Sequence, residues 1–361
     1  MKIGILTFHR AHNYGAVLQA YALKEYLKSM HLDVEVVDYI PTYFASSNKR
    51  IGLKNILSTS PNRLIKNIFF YSQIKKRKNA FINFIAKKIH PSRIKYSEKN
   101  IIEGYDILVY GSDQIWNGAH TNGPDNIFWG YSTSLSTKKI VYAASSSVNF
   151  FKLGILQYVK SALSNFDYLS VREESVLSII KNLTDKYVEH VVDPTLLLSK
   201  EDWESKFDLK DLEHDYILIY QVRENPLTLR IAKEYAKKYD LKIIILTKMV
   251  YQRFDMHLNQ TASPEEFVQL IKNARLVLTT SFHGTIFSLI FRKNFYTIDI
   301  DSEINERSLS ILSAIGLQDR LINTTPSQYN EIDYNENIVS KLDEMIEKSK
   351  FYLKRSIYEI S

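Results

Sequence analysis

An alternation limits what this chain can become more than any other feature: short β-branched runs take turns with stretches of helical spacing, twice over. Residues 2–8 read "KIGILTF" and are followed by "YGAVLQAYALKEYLKSM" (14–30), where Val17, Tyr21, Leu23 and Leu27 fall near one helical face, and then by the strand pattern "LDVEVVDY" (32–39). After an interruption, "YDILVYGSDQIW" (105–116) and "KKIVYAASSS" (138–147) return to strand and turn. A charged segment without strand pattern (199–215) precedes a second series: "YILIYQV" (216–222), a helix near 226–239, "LKIIILT" (241–247), "SPEEFVQLIKNA" (263–274) and "RLVLTTSFHG" (275–284). In the fourth of these, Ser263 and Glu266 stand at the capping-box positions of a helix. Such alternation predicts parallel α/β sheets, and a chain of 361 residues is long enough for about two domains. The predicted architecture is α/β, with two Rossmann-like domains (1–200 and 201–361) facing a central cleft, the second carrying the "SFHG" turn. Ligands in such sheets lie at the carboxyl ends of the strands.

The interruption has a composition of its own. Between Pro41 and Asn100 there are fourteen Lys or Arg against the single acid Glu98, a charge of +13, while the whole chain carries +7 and the remainder therefore −6. Residues 42–100 are predicted to be a basic insertion of two or three helices in the first domain. With Phe69, Phe70, Phe81 and Phe84 among its cations, the stretch 49–99 has the composition to rest on anionic headgroups, and equally that of a solvated helical face. No helix-turn-helix, RNA-recognition or zinc-finger pattern accompanies the charge, so no nucleic-acid partner is expected. Cysteine is absent, which excludes disulfides, thiolate nucleophiles and Cys-ligated metals, and no Asp-rich or His-rich cluster calls for a metal. The first residues lack the layout of a signal peptide and no window has the ~18 apolar residues of a spanning helix, so a cytoplasmic protein is expected.

Four stretches have chemical content. In "TTSFHGTIFSLIF" (279–291), Ser281, Phe282, His283 and Gly284 are predicted as the turn after a strand, with Gly284 permitting the sharp bend. The following helix would aim its free amides at an anion beside the His283 imidazole; a satisfied turn histidine is the other reading. In "GSDQIWN" (111–117), Ser112, Asp113, Gln114 and Asn117 supply polar groups and Trp116 a flat face for a sugar, unless this is an Asx turn with a buried tryptophan. In "RAHNYGAVLQAYAL" (10–23), Asn13 and Gly15 open a helix as ligand contacts or as an ordinary cap, since neither G-x-G-x-x-G nor a Walker lysine loop is present. In "SVREESV" (170–176), Arg172 is placed to grip a carboxylate or phosphate, or to pair with Glu173 or Glu174. Arg307 in "NERSLSILSAIGL" heads a helix in the same way.

Taken in order, "NYGAVLQAYAL", "GSDQIWN", "SVREESV", "VVDPTLLL" and "TTSFHGTIFSLIF" resemble the signatures of the polysaccharide pyruvyl transferase family, over Ile3 to about Leu321 apart from the basic insertion. The resemblance implies a fold of the two-Rossmann glycosyltransferase (GT-B) type, phosphoenolpyruvate as donor substrate with no further cofactor, and a saccharide acceptor, often lipid-linked at the inner face of the cytoplasmic membrane. The product would be a pyruvate ketal in exopolysaccharide, capsule or cell-wall glycan. It also implies that Arg172 binds the donor and makes His283 the candidate acid. One departure stands out: some members have Arg two places before the histidine, where this chain has Ser281, so Arg307, Arg10 or a lysine must compensate or the donor must differ. The alternatives are a glycosyltransferase using a nucleotide sugar and a non-catalytic glycan-binding member.

Overall fold

The structure is a computed structural model that describes residues 1–43, 71–152, 154–211, 216–247, 257–259, 261–300 and 302–359. It divides into two compact units with interleaved chain segments. The first unit begins with β1 (Lys2–Leu6), α1 (Tyr14–Ser29) and β2 (Asp33–Tyr39). Next comes the basic helix α2 (Tyr71–Phe84), which belongs with the second unit, and a π-helical turn, Ile85–Ile89, which belongs with the first. The chain continues through β3 (Pro91–Tyr96), β4 (Ile107–Tyr110) and β5 (Lys138–Val141). These strands form a parallel sheet in the order β3-β2-β1-β4-β5. A second parallel pair, β6 (Leu169–Val171) and β7 (Val188–His190), is connected by α3 (Glu174–Lys181).

The second unit is a six-stranded parallel sheet in the order β10-β9-β8-β11-β12-β13. Its elements run β8 (Tyr216–Gln221), α4 (Pro226–Tyr239), β9 (Lys242–Thr247), β10 (His257–Asn259) and α5 (Pro264–Asn273). They continue with β11 (Leu276–Thr279), α6 (Phe282–Ile290), β12 (Asn294–Ile298), α7 (Ser302–Ile315) and β13 (Leu321–Ile322). The capping box read in the sequence is formed: the Glu266 amide donates to Ser263 Oγ at 3.1 Å and the Ser263 amide to Glu266 Oε2 at 2.6 Å. Central strands with helices on both faces must be apolar throughout, and all four residues of β4 and of β11 are buried.

Three features differ from the expectations drawn from sequence. Residues 91–96 are a strand, not part of a helical insertion. In "PSRIKY" only Ser92 and Tyr96 are buried while Arg93, Ile94 and Lys95 face solvent, a charged edge with no apolar alternation to reveal it. Phe81 and Phe84 do not face outward towards a membrane: they are 0% and 1% exposed, and Phe84 meets Phe207 ring edge to ring face at 6.0 Å. Phe69 and Phe70 lie outside the described residues. Finally, the division at residue 200 is too simple. The last helix, α8 (Glu336–Tyr358), begins in the second unit, but from Glu344 onward it belongs to the first, where the Tyr352 hydroxyl donates to Val141 O at 2.7 Å and the Val192 amide to Ser349 Oγ at 2.9 Å.

Candidate active site

In each sheet the strand order reverses once, between β1 and β4 and between β8 and β11. At such a reversal the loops leaving neighbouring strands part in opposite directions and open a crevice at the carboxyl ends. Most of the polar residues singled out in the sequence follow β1, β4 or β11, whereas Arg172 follows β6 and Arg307 lies in α7.

In the first unit, the loop after β1 is tied to the loop after β4. Thr7 Oγ1 donates to Ser112 O at 2.7 Å, and Gln19 of α1 donates to Thr7 Oγ1 at 2.8 Å while accepting from the Ser112 amide at 3.2 Å. Gly111 has φ +120°, and a Cβ on it would lie 2.1 Å from Tyr142 O, so the ends of β4 and β5 approach as only glycine allows. Ser112 is fully buried and spends its hydroxyl on Ala143 O at 2.7 Å. Asp113 and Gln114 are half-buried; Asp113 Oδ1 accepts from the Gln114 amide and Gln114 Oε1 meets His120 Nε2 at 2.5 Å. Trp116 offers no face to a sugar. It is 0% exposed, stacked on Trp129 with centroids 4.6 Å apart, and its Nε1 donates to Phe128 O at 3.1 Å. Asn13 caps α1 by accepting from the Gly15 amide at 2.9 Å, with Gly15 buried in the first turn.

Two residues here were not singled out in the sequence. His9 follows β1 and Asp38 is the penultimate residue of β2, and the parallel pairing of these strands lets His9 Nε2 meet Asp38 Oδ1 at 3.0 Å. Arg10 grips both oxygens of the same carboxylate at 2.5 Å. Burial pushes the Asp38 pKa up, but the hydrogen bonds from His9 and Arg10 outweigh it and hold the group at about 2, below the ordinary 3.8. A carboxylate depressed in the folded state stabilises the fold above its unfolded pKa and loses that contribution as pH falls through its folded one. Asp38→Asn should therefore cost ~2 kcal/mol at neutral pH, and the gap between its denaturation midpoint and that of the parent should close between pH 3.8 and about 2.

Arg172 follows β6 and is 5% exposed. Its Nε donates to Glu173 Oε1 at 3.0 Å and its Nη1 to Asp193 Oδ2 at 2.5 Å, while Ser145 donates to Glu173 Oε1 at 2.7 Å. Burial opposes the guanidinium charge, but Glu173, Asp193 and Asp113 overcome it and raise the Arg172 pKa. The ion-pair reading thus holds for Glu173, and Glu174 pairs instead with His190 at 3.3 Å. Asp193 belongs to "VVDPTLLL" and also accepts from the Thr195 amide at 3.0 Å.

In the second unit, β11 ends at Thr279 and α6 begins at Phe282, so the turn is two residues shorter than the sequence suggested. Ser281 is the N-cap, and His283 and Gly284 lie in the first helical turn, where the amides of Phe282, His283 and Gly284 have no partner within the helix. Gly284 therefore does not make the bend; its bare Cα admits the Thr279 side chain, since a Cβ would lie 2.2 Å from Thr279 Oγ1. That hydroxyl donates to Tyr220 O at 2.8 Å and accepts from the Ser281 amide at 3.0 Å, locking the junction. Gly284→Ala should cost about 1–3 kcal/mol by overpacking, read as a lower denaturation midpoint, and Thr279→Ala in the same chain should recover part of the loss. His283 is 6% exposed, with its ring 5.1 Å from that of Phe282. Arg307 of α7 sits over the same Phe282 ring, its guanidinium carbon 5.8 Å from the ring centre. Ser281, His283, Gly284 and Arg307 are thus brought together at the reversal of the second sheet, and Asn13, Gly15, Ser112, Asp113 and Gln114 around that of the first.

Two doubly wound parallel sheets with polar groups gathered at their reversals define an α/β protein of the two-Rossmann, GT-B-like class. The fold is similar to that of UDP-GlcNAc 2-epimerase from Methanocaldococcus jannaschii in complex with UDP-GlcNAc and UDP, at 13% identity and TM-score 0.50, over 99% of this chain and 100% of that one. UDP-GlcNAc 2-epimerase from Neisseria meningitidis bound to UDP-GlcNAc is also similar, at 12% identity and TM-score 0.49, over 99% of this chain and 94% of that one. The chain belongs to the polysaccharide pyruvyl transferase family, whose sequence profile matches residues 13–302, and hence to a family of transferases. No curated protein matches it. The match takes in His283 and stops short of Arg307.

Proposed function

We propose that the protein moves the enolpyruvyl group of phosphoenolpyruvate onto a saccharide to form a pyruvate ketal. Family membership supports the transfer and the saccharide acceptor. The observation that carries the chemistry is His283 in the first turn of α6, at the sheet reversal, with Arg307 flanking Phe282. Helix amides and a guanidinium favour a small anion, and an imidazole beside it is the acid that the donor requires.

In this reading one sugar hydroxyl bonds to C2 of the donor while His283 delivers a proton to the C3 methylene, which becomes a methyl group. The C2–O bond to phosphate then breaks, leaving an oxocarbenium centre, and a second hydroxyl closes the ketal. Of the two hydroxyl protons, one reloads the histidine and the other leaves with inorganic phosphate, so no oxidant or reductant is needed. Arg172, committed to Glu173 and Asp193, is assigned to holding the first unit's strand ends.

A second reading, a glycosyltransferase using a nucleotide sugar, is favoured by Ser281, which puts no guanidinium beside the histidine. The epimerase of matching fold is in complex with UDP-GlcNAc and UDP. Thermal shifts separate the two: stabilisation by phosphoenolpyruvate and not by a nucleotide sugar supports the pyruvyl transfer, and the opposite result sinks it. No helix among the described residues is long and apolar enough to cross a membrane.

A further inference from the structure

In the second unit a cavity of about 490 Å³, within the size range of small-molecule sites, opens towards the carboxyl ends of β8 and β9. Its floor is Ile219 and Ile245, register partners in the β8–β9 pairing and 1% and 5% exposed. Glu224 in the loop after β8 and Arg230, Lys233 and Glu234 on α4 also line it, two acids and two bases whose charges cancel. Arg230 and Glu234 stand one helical turn apart and are steadied by one neighbouring segment. Arg230 Nε donates to Thr325 Oγ1 at 3.0 Å, and Glu234 Oε2 accepts from the Tyr329 hydroxyl at 2.9 Å. These bonds leave the Arg230 Nη groups to donate and Glu234 Oε1 to accept. The lip of the cavity is fixed to the turn that carries His283. Thr280 Oγ1 accepts from the Val222 amide at 3.0 Å and donates to Arg223 O at 3.0 Å, and the Gln221 side chain bridges the loop by accepting from the Asn225 amide at 3.4 Å.

We propose that this cavity is the saccharide acceptor's site, with Thr280 as the positioning residue that ties it to the β11–α6 junction. Sugar hydroxyls both donate and accept, which suits a rim of paired carboxylates and cations, and the C–H face of a sugar ring suits the isoleucine floor. A nucleoside diphosphate would bring two or more negative charges, which a rim of zero net charge does not offset. The inference rests on the reading that the protein joins pyruvate to a saccharide at the His283 turn.

The test is an array of di- and trisaccharides of hexoses and N-acetylhexosamines, probed with the labelled full chain. The parent should bind a subset of them, and Arg230→Met and Glu234→Gln should each weaken that binding about tenfold or more, the worth of one charged hydrogen bond. Lys237→Met, on the same helix but outside the cavity, should leave it unchanged. Arg230 and Glu234 are exposed, so the variants should fold, and melting temperatures check that they do. Parent-like saccharide binding in both variants, or a parent that binds no saccharide, overturns the inference. So does weakened binding of UDP-GlcNAc in place of the saccharides, which would give the cavity to a nucleotide sugar. Calorimetric titration of the parent with phosphoenolpyruvate tests the underlying reading separately: a parent that binds it keeps that reading whatever the array shows, and one that does not overturns both.

Discussion

Replacing His283 by asparagine is expected to lower phosphate release from phosphoenolpyruvate, in the presence of a saccharide acceptor, by about 10²–10⁴-fold, the usual worth of a positioned proton donor. The imidazole is 6% exposed in the first turn of α6, and asparagine is polar and no larger, so the melting temperature should move little. Two measurements distinguish the roles of the ring. Lost turnover with retained donor binding assigns the proton transfer to His283, and loss of both assigns it to holding the anion. Parent-like turnover in the variant would strip the residue of any part in the chemistry.

Arg172→Met should destabilise the protein by about 3–5 kcal/mol, because it leaves the carboxylates of Glu173 and Asp193 buried without their cation. Both are essentially shut off from solvent, with side chains 2% and 0% exposed. Urea unfolding measures the loss, and Asp193→Ala, which leaves the guanidinium its Glu173 partner, should show a smaller one. An Arg172→Met midpoint within 0.5 kcal/mol of the parent, on the order of an ordinary surface substitution, would refute the structural role. The prediction also bears on interpretation: inactivity of an Arg172 variant would not by itself show that this residue touches the donor.

The architecture was legible wherever strands are central. "DILVY" and "RLVLTT" are apolar because both faces of their sheets are covered, and the second of these pointed directly to His283. The edge strand β3 was illegible, since three of its six residues face solvent. At Trp116 the difficulty is different: a tryptophan after a strand reads alike as a sugar platform or as core, and only the Trp129 stack decides. Gly284 was recognised as necessary for the wrong reason, because its neighbour Thr279 is brought close by the helix, not by a turn. His9 and Asp38 are 29 positions apart and meet through parallel pairing of their strands. The same rule that found His283, a polar residue just past a strand, would have found His9 had it been applied to β1, but not Asp38, which lies within β2.

The return of α8 to the first unit has a consequence for biosynthesis. Leu353 and Ile357 are fully buried there, and Tyr352 closes a hydrogen bond to the end of β5. A ribosome makes these residues after every strand of the sheet they cover, so that sheet waits, incompletely covered, until α8 has followed. Nascent chains of this protein thus present an open apolar flank to chaperones until the final turns of helix emerge.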